Sequence, residues 1–157
     1  MGLEWSAGGK QAAGQARIQE LDERIRKWPR HAGNDPYKEG LERLASVLKP
    51  MLPTDLFAVA YNEFCAPSVP EALEDLIERG AQRILVIPTM LTPGGLHSEK
   101  DIPKSIRQTQ EKHAHVRIEY LWPFELKEVA ALLSGRIQKA LSATAGSNSA
   151  GGGTGNR

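Results

Sequence analysis

Two short apolar runs, separated by one amphipathic helix, constrain this chain more than any other feature. The first is Leu56-Phe57-Ala58-Val59-Ala60-Tyr61 and the second is Arg83-Ile84-Leu85-Val86-Ile87-Pro88. Near-continuous apolar character over so few residues marks a strand buried on both faces, as in a parallel sheet. Ala66-Pro67-Ser68 breaks the first run, and Ser68 with Glu71 forms a capping-box pattern. Val69, Ala72, Leu73, Leu76 and Ile77 then share one helical face, which Gly80 terminates.

The alternation continues along the chain. Asp101-Ile102-Pro103 opens a helix anchored by Ile102 and Ile106, and Val116 to Leu121 alternates like a strand nearer the sheet edge. A last helix from about Glu125 to Leu141 would turn Val129, Leu132, Leu133 and Ile137 inward. Upstream, Ile18, Leu21, Ile25 and Trp28 line a helix that begins near Arg17 and stops at Pro29. Asp35 can cap the next helix with Pro36 at its first position, and Leu41, Leu44, Ala45 and Leu48 form its buried stripe. Together these elements predict an α/β fold with a short, mainly parallel sheet and helices on both faces. Residues 1–15 read as a disordered N-terminus, 16–141 as the α/β domain, and 142–157 as a flexible Gly/Ser-rich tail.

Composition narrows the function classes. A formal net charge of +1 over 157 residues gives no basis for nucleic-acid binding. No apolar run approaches the ~20 residues that span a bilayer, and the N-terminus lacks a secretory signal's apolar core. The single cysteine, Cys65, excludes an internal disulfide, and the chain is expected in the cytoplasm.

Chemistry concentrates after the second run. In an α/β protein, ligands bind in the loops beyond the carboxyl ends of the strands. Here that loop carries Thr89, Met90, Thr92, Gly94, Gly95, His97 and Ser98. The glycines let backbone approach a ligand closely, and an imidazole can bind a metal or move a proton near neutral pH. A loop histidine that merely bonds backbone is the plain alternative. Glu63 follows the first run and would share the sheet edge with His97, so the two together could hold a divalent first-row metal. The plain reading of Glu63 is a solvated carboxylate, and that of Cys65 is a small buried apolar residue. The loop hydroxyls could bind carboxylates or phosphate, or could simply close turns. His31, His113 and His115 lie in polar stretches, where solvent exposure is expected.

At these residues the chain resembles the CbiX/SirB family of sirohydrochlorin cobaltochelatases and ferrochelatases. The likeness rests on Ala60-Tyr61-Asn62-Glu63-Phe64-Cys65-Ala66-Pro67-Ser68, on Pro88-Thr89-Met90-Leu91, and on Gly94-Gly95-Leu96-His97 with Asp101-Ile102-Pro103. It spans roughly residues 36 to 141. The resemblance implies a three-layer chelatase-like fold and insertion of Co²⁺ or Fe²⁺ into sirohydrochlorin or a related tetrapyrrole, with no organic cofactor. It implies that His97 and Glu63 bind the metal and act on the pyrrole protons. It implies that Thr89, Met90, Thr92, Gly94, Gly95 and Ser98 line the macrocycle cleft. The family begins with an apolar strand ending in a histidine–glycine pair, and no apolar run precedes residue 15 here. His31-Ala32-Gly33 imitates that pair, but Trp28-Pro29-Arg30 before it cannot be a buried strand end, because proline lacks the ladder donor. The chain is therefore expected either to start late or to be a divergent member. A non-catalytic member that binds metal or a small anionic ligand is the alternative function. The sheet edge left without that strand makes a homodimer a further expectation.

Overall fold

The computed structural model describes residues 6–62 and 65–148, with side chains from 14 to 143. Five helices and two strands follow in order: α1 Ser6–Arg26, α2 Pro36–Leu48, α3 Val69–Glu78, β1 Arg83–Val86, α4 Ile102–Lys112, β2 Arg117–Tyr120 and α5 Leu126–Asn148. Strands β1 and β2 run parallel, with Arg83 opposite Arg117 and Val86 opposite Tyr120. The expected α/β class and parallel pairing are therefore present, joined by the crossover helix α4.

Local chemistry sets the helix starts. The Lys38 N–H donates to Asp35 Oδ1 at 2.9 Å, and Pro36 fills the first turn of α2. At α3, Ser68 and Glu71 form the expected capping box: the Ser68 N–H donates to Glu71 Oε2 at 2.7 Å. Those bonds from Ser68, with the Arg26 guanidinium nearby, hold the Glu71 carboxyl below its usual range. Gly80, at φ +93°, ends the segment in a conformation that disfavours a side chain.

The core forms where α3 and α4 meet β1 and the start of β2. Val69 and Leu73 from α3, Ile84 from β1, Ile102 and Ile106 from α4, and Val116 are buried together with Ala81. One side chain ties α4 to the outer edge of β2. Gln110 on α4 donates from Nε2 to the Val116 carbonyl at 2.6 Å and accepts the Ile118 N–H at 3.0 Å.

Three expectations need correction. Leu56 to Ala60 lies against the core at Leu56 and Ala60 but, among the described residues, forms no ladder, and a single bridge joins the adjoining Tyr61 to Ser68. Apolar character placed the segment, but a strand also needs a partner on its edge. Helices screen the sheet unequally as well. Ile84 is buried, whereas Leu85 and Ile87 on the opposite face are about half exposed. The stripes on α1 and α5 are likewise largely exposed, with Ile18, Leu132, Leu133 and Ile137 more than half accessible, whereas on α2 Leu44 is exposed and Leu41, Ala45 and Leu48 are half-buried. Adjacent strands stand about 4.8 Å apart, so two strands offer too narrow a surface for five helices. Helix α1 begins at Ser6 and α5 continues to Asn148. Residues 1–5 and 149–157 lie outside the described residues.

Two stability predictions follow from this distribution. Leu73→Ala should cost about 3 kcal/mol in urea unfolding, whereas Leu133→Ala on exposed α5 should change stability by less than about 0.5 kcal/mol. Equal costs would contradict the core as described. Because the Glu71 carboxyl is depressed in the folded state, it stabilises fully above its ordinary value of 4.5, and that contribution fades as pH falls through the lower folded value. Glu71→Gln should therefore lower stability at neutral pH and narrow the gap to wild type below about pH 4.

Candidate active site

The loop after β1 ends in a π-helical turn, His97–Asp101, continuous with α4. The Ile102 N–H reaches back to the His97 carbonyl, five residues earlier. Pro103 supplies a reason for the wider pitch: it has no N–H, and its ring would crowd the carbonyl four residues back in a regular α-helix. Such turns recur at functional sites.

Several bonds fix this turn. Ser98 is fully buried, its hydroxyl donates to the Gly95 carbonyl at 3.1 Å, and the Tyr120 hydroxyl donates to the Ser98 carbonyl at 3.0 Å. Burial pushes the Tyr120 pKa to about 12, so the phenol stays a donor. Glu99 Oε1 accepts the Gly94 N–H at 3.1 Å and the Trp122 indole N–H at 3.4 Å. Gly94 lies at φ +101°, and a Cβ on Gly95 would sit 3.2 Å from Ser98 Oγ. The two glycines therefore do different work. Gly94 permits the backbone bend, and Gly95 makes room for the buried serine.

His97 is held within that frame. Its Nδ1 lies 2.8 Å from Asp101 Oδ2 and 2.7 Å from Asn62 Nδ2. Asn62 belongs to the segment after the first apolar run, so the structure does bring that segment and the glycine loop together. The expected partner Glu63, next in sequence, lies outside the described residues. Asp101 and Asn62 went unrecognised as site residues. The spacing of four residues between His97 and Asp101 was the available signal, since such pairs meet on a helix. It was obscured because Asp101 was read as a helix start.

The remaining candidates divide by exposure. Thr89, Thr92, Gly94 and Gly95 are exposed, with the Thr89 hydroxyl 3.5 Å from the Tyr37 hydroxyl. Met90 packs against the core. Ser98 has no accessible surface, so its side chain closes a turn and does not line a cleft. Cys65 is half-buried with Sγ 3.9 Å from Asp35 Oδ2, and burial raises its thiol pKa, which disfavours the thiolate a metal would need. His31 closes its own turn by accepting the Gly33 N–H at 3.1 Å. His113 departs from the expected exposure: it is three-quarters buried, with Nε2 2.6 Å from Glu74 Oε2. Among the described residues, no three His, Cys, Asp or Glu side chains gather as a metal cluster.

The fold and this loop define an α/β protein that presents an imidazole–carboxylate pair beyond a strand's carboxyl end. The CbiX family model matches residues 32–140, and the chain belongs to that family. It is 32% identical over 111 residues to a sirohydrochlorin cobaltochelatase from Priestia megaterium, covering 70% of this chain and 36% of that protein. A sirohydrochlorin cobaltochelatase from Methanocaldococcus jannaschii is 35% identical over 84 residues, covering 53% and 58% respectively. A sirohydrochlorin ferrochelatase from Priestia megaterium is 29% identical over 106 residues, covering 65% and 40%. The chain thus spans between about a third and three-fifths of these relatives' lengths. Among solved structures, SirB from Bacillus subtilis with Fe³⁺ is similar at 26% identity and a TM-score of 0.46, covering 53% of this chain and 34% of that one.

The glycine geometry yields a direct test. Gly94→Ala should cost about 1–2 kcal/mol, because the left-handed backbone is strained by a Cβ even where space is open. Thermal unfolding would reveal it, and an unchanged midpoint would mean that the loop does not hold this φ in solution.

Proposed function

We propose that this chain holds a divalent metal ion, Co²⁺ or Fe²⁺, at His97 and Glu63 and inserts it into sirohydrochlorin or a closely related tetrapyrrole. The observation that carries the reading is His97, anchored through Nδ1 at the end of the glycine loop, within the segment that matches the CbiX model. Names of the relatives support the substrate class: a tetrapyrrole, with cobalt for some and iron for another.

The chemistry requires little machinery. The metal is a substrate that must shed water and pass to four ring nitrogens, while two pyrrole protons leave as it enters. A neutral imidazole is both a borderline ligand and a base matched to neutral pH. His97 would hold the incoming ion through one ring nitrogen and, once the ion has passed to the macrocycle, accept a pyrrole proton on that same nitrogen, from which it passes to solvent. Glu63 would supply the second ligand, an oxygen, or take the second proton. The exposed Thr89, Thr92, Gly94 and Gly95 would face the macrocycle and its carboxylates. No organic cofactor is needed for any of these steps. A tighter, more highly charged site would retain the ion.

Calorimetric titration with Co²⁺ is the first test, on the wild-type protein and on His97→Ala. The variant should bind at least about tenfold more weakly. An absorbance assay with sirohydrochlorin and Co²⁺ should then show a rate that falls about 100-fold or more in His97→Ala. Metal binding without any rate above the uncatalysed background would remove the catalytic step and leave a metal-binding member of the family. Equal Co²⁺ affinity in the two proteins would sink the assignment of His97.

A further inference from the structure

We propose that Asp101 is a positioning residue: its carboxylate fixes His97 as the Nδ1–H tautomer and so leaves the lone pair on Nε2. Two groups compete for Nδ1. Asp101 Oδ2 stands at 2.8 Å and the Asn62 amide nitrogen at 2.7 Å. A neutral imidazole cannot satisfy both as drawn. With Nδ1 unprotonated, the amide would donate to it, but the carboxylate would face a lone pair. With Nδ1 protonated, the ring donates to a charged acceptor, and a hydrogen bond of that kind is about twice as strong as a neutral one. The conflict with Asn62 is then removed cheaply. Rotating the amide by half a turn presents its carbonyl oxygen to the same N–H, because amide oxygen and nitrogen are interchangeable in shape. The Nδ1–H form thus satisfies both of these neighbours, and the alternative sets the Asp101 carboxylate against a lone pair.

Asp101 has no competing structural duty. Aspartate before a helical run is ordinarily a cap, whose side chain accepts a backbone N–H of the first turn. Here Asp101 is itself helical, at φ −72° and ψ −49°, and its side chain makes no capping bond. The run passes through Asp101 into the π-helical turn, so the carboxylate is left to the ring one turn back. Its side chain is 42% exposed, so no burial requirement explains it either.

A metal-binding imidazole needs this arrangement: one ring nitrogen anchored to a carboxylate, the other carrying the lone pair. Use of Nε2 toward a metal rests on the chelatase reading; the tautomer itself does not. Nitrogen-15 NMR of the histidine rings separates the two. The chain has four histidines, and the His97→Ala spectrum identifies the His97 signals by their loss. In mildly alkaline buffer, wild-type His97 should show Nδ1 protonated and Nε2 unprotonated. Asp101→Ala should shift the balance to the Nε2–H form, and Asp101→Asn, with the same shape and no charge, should shift it in the same direction. Asn62→Ala should leave the tautomer as in wild type.

A wild-type Nε2–H ring would overturn the proposal, as would a tautomer that moves in Asn62→Ala and not in the Asp101 variants. Co²⁺ affinity should fall about tenfold or more in Asp101→Asn. An unchanged affinity beside a shifted tautomer would overturn the positioning role. If the wild-type protein binds no Co²⁺, the chelatase reading falls, while the ring signals still decide whether Asp101 sets the proton.

Discussion

The bond from the Tyr120 hydroxyl to the Ser98 carbonyl joins the sheet to the turn that carries His97. The rest of the site depends on it. Ser98 follows His97 directly and has no accessible surface, so the backbone there cannot move without breaking packing on both sides. Tyr120 is the last residue of β2, paired with Val86 at the end of β1. The histidine therefore inherits its position from the strand register, through one side-chain hydroxyl and one buried serine. An imidazole on an exposed loop is normally mobile. This one is held at its backbone by the sheet and at its ring by Asp101 and Asn62.

What the sequence revealed follows what each signal physically measures. Patterns decided within one turn of helix were legible: the Ser68–Glu71 capping box, the Asp35 cap, and the buried stripe of Val69, Ala72 and Leu73. These depend on neighbours within four residues. Most of the failures concern partners distant in sequence. Leu56 to Ala60 has the composition of a strand but no ladder, because pairing depends on a neighbour that composition does not specify. Leu132, Leu133 and Ile137 have helical spacing but no receiving surface, since amphipathicity shows which face could be buried and not whether anything covers it. The π-helical turn was missed for a related reason. A helix start at Asp101 and a widened turn that runs through it share the same aspartate and the same proline.

The candidate site divides along the same line. His97 was legible because a histidine after two glycines beyond a buried strand is chemically conspicuous. Ser98 was misread because a hydroxyl beside a histidine suggests a ligand contact, whereas burial beneath Gly95 turns it inward. Asn62 lies 35 residues before His97, and no local pattern links them. Only the return of the chain to the same end of the sheet places its amide on the ring.

Charge explains why so light a site suits the proposed task. A metal held only to be handed on must be bound more weakly by the protein than by the four nitrogens that receive it. Each added carboxylate or thiolate deepens the protein's own well and slows the transfer. Asp101 therefore serves better behind the imidazole than beside the metal. Hydrogen-bonded to Nδ1–H, as proposed, it would orient the ring without adding a full anionic ligand. The half-buried Cys65, whose thiol burial keeps protonated, likewise withholds the soft ligand that would trap cobalt or iron. On the proposed reading, the spacing of His97 and Asp101 on one helical turn would give two properties at once: a ring oriented for binding and a site that can let go.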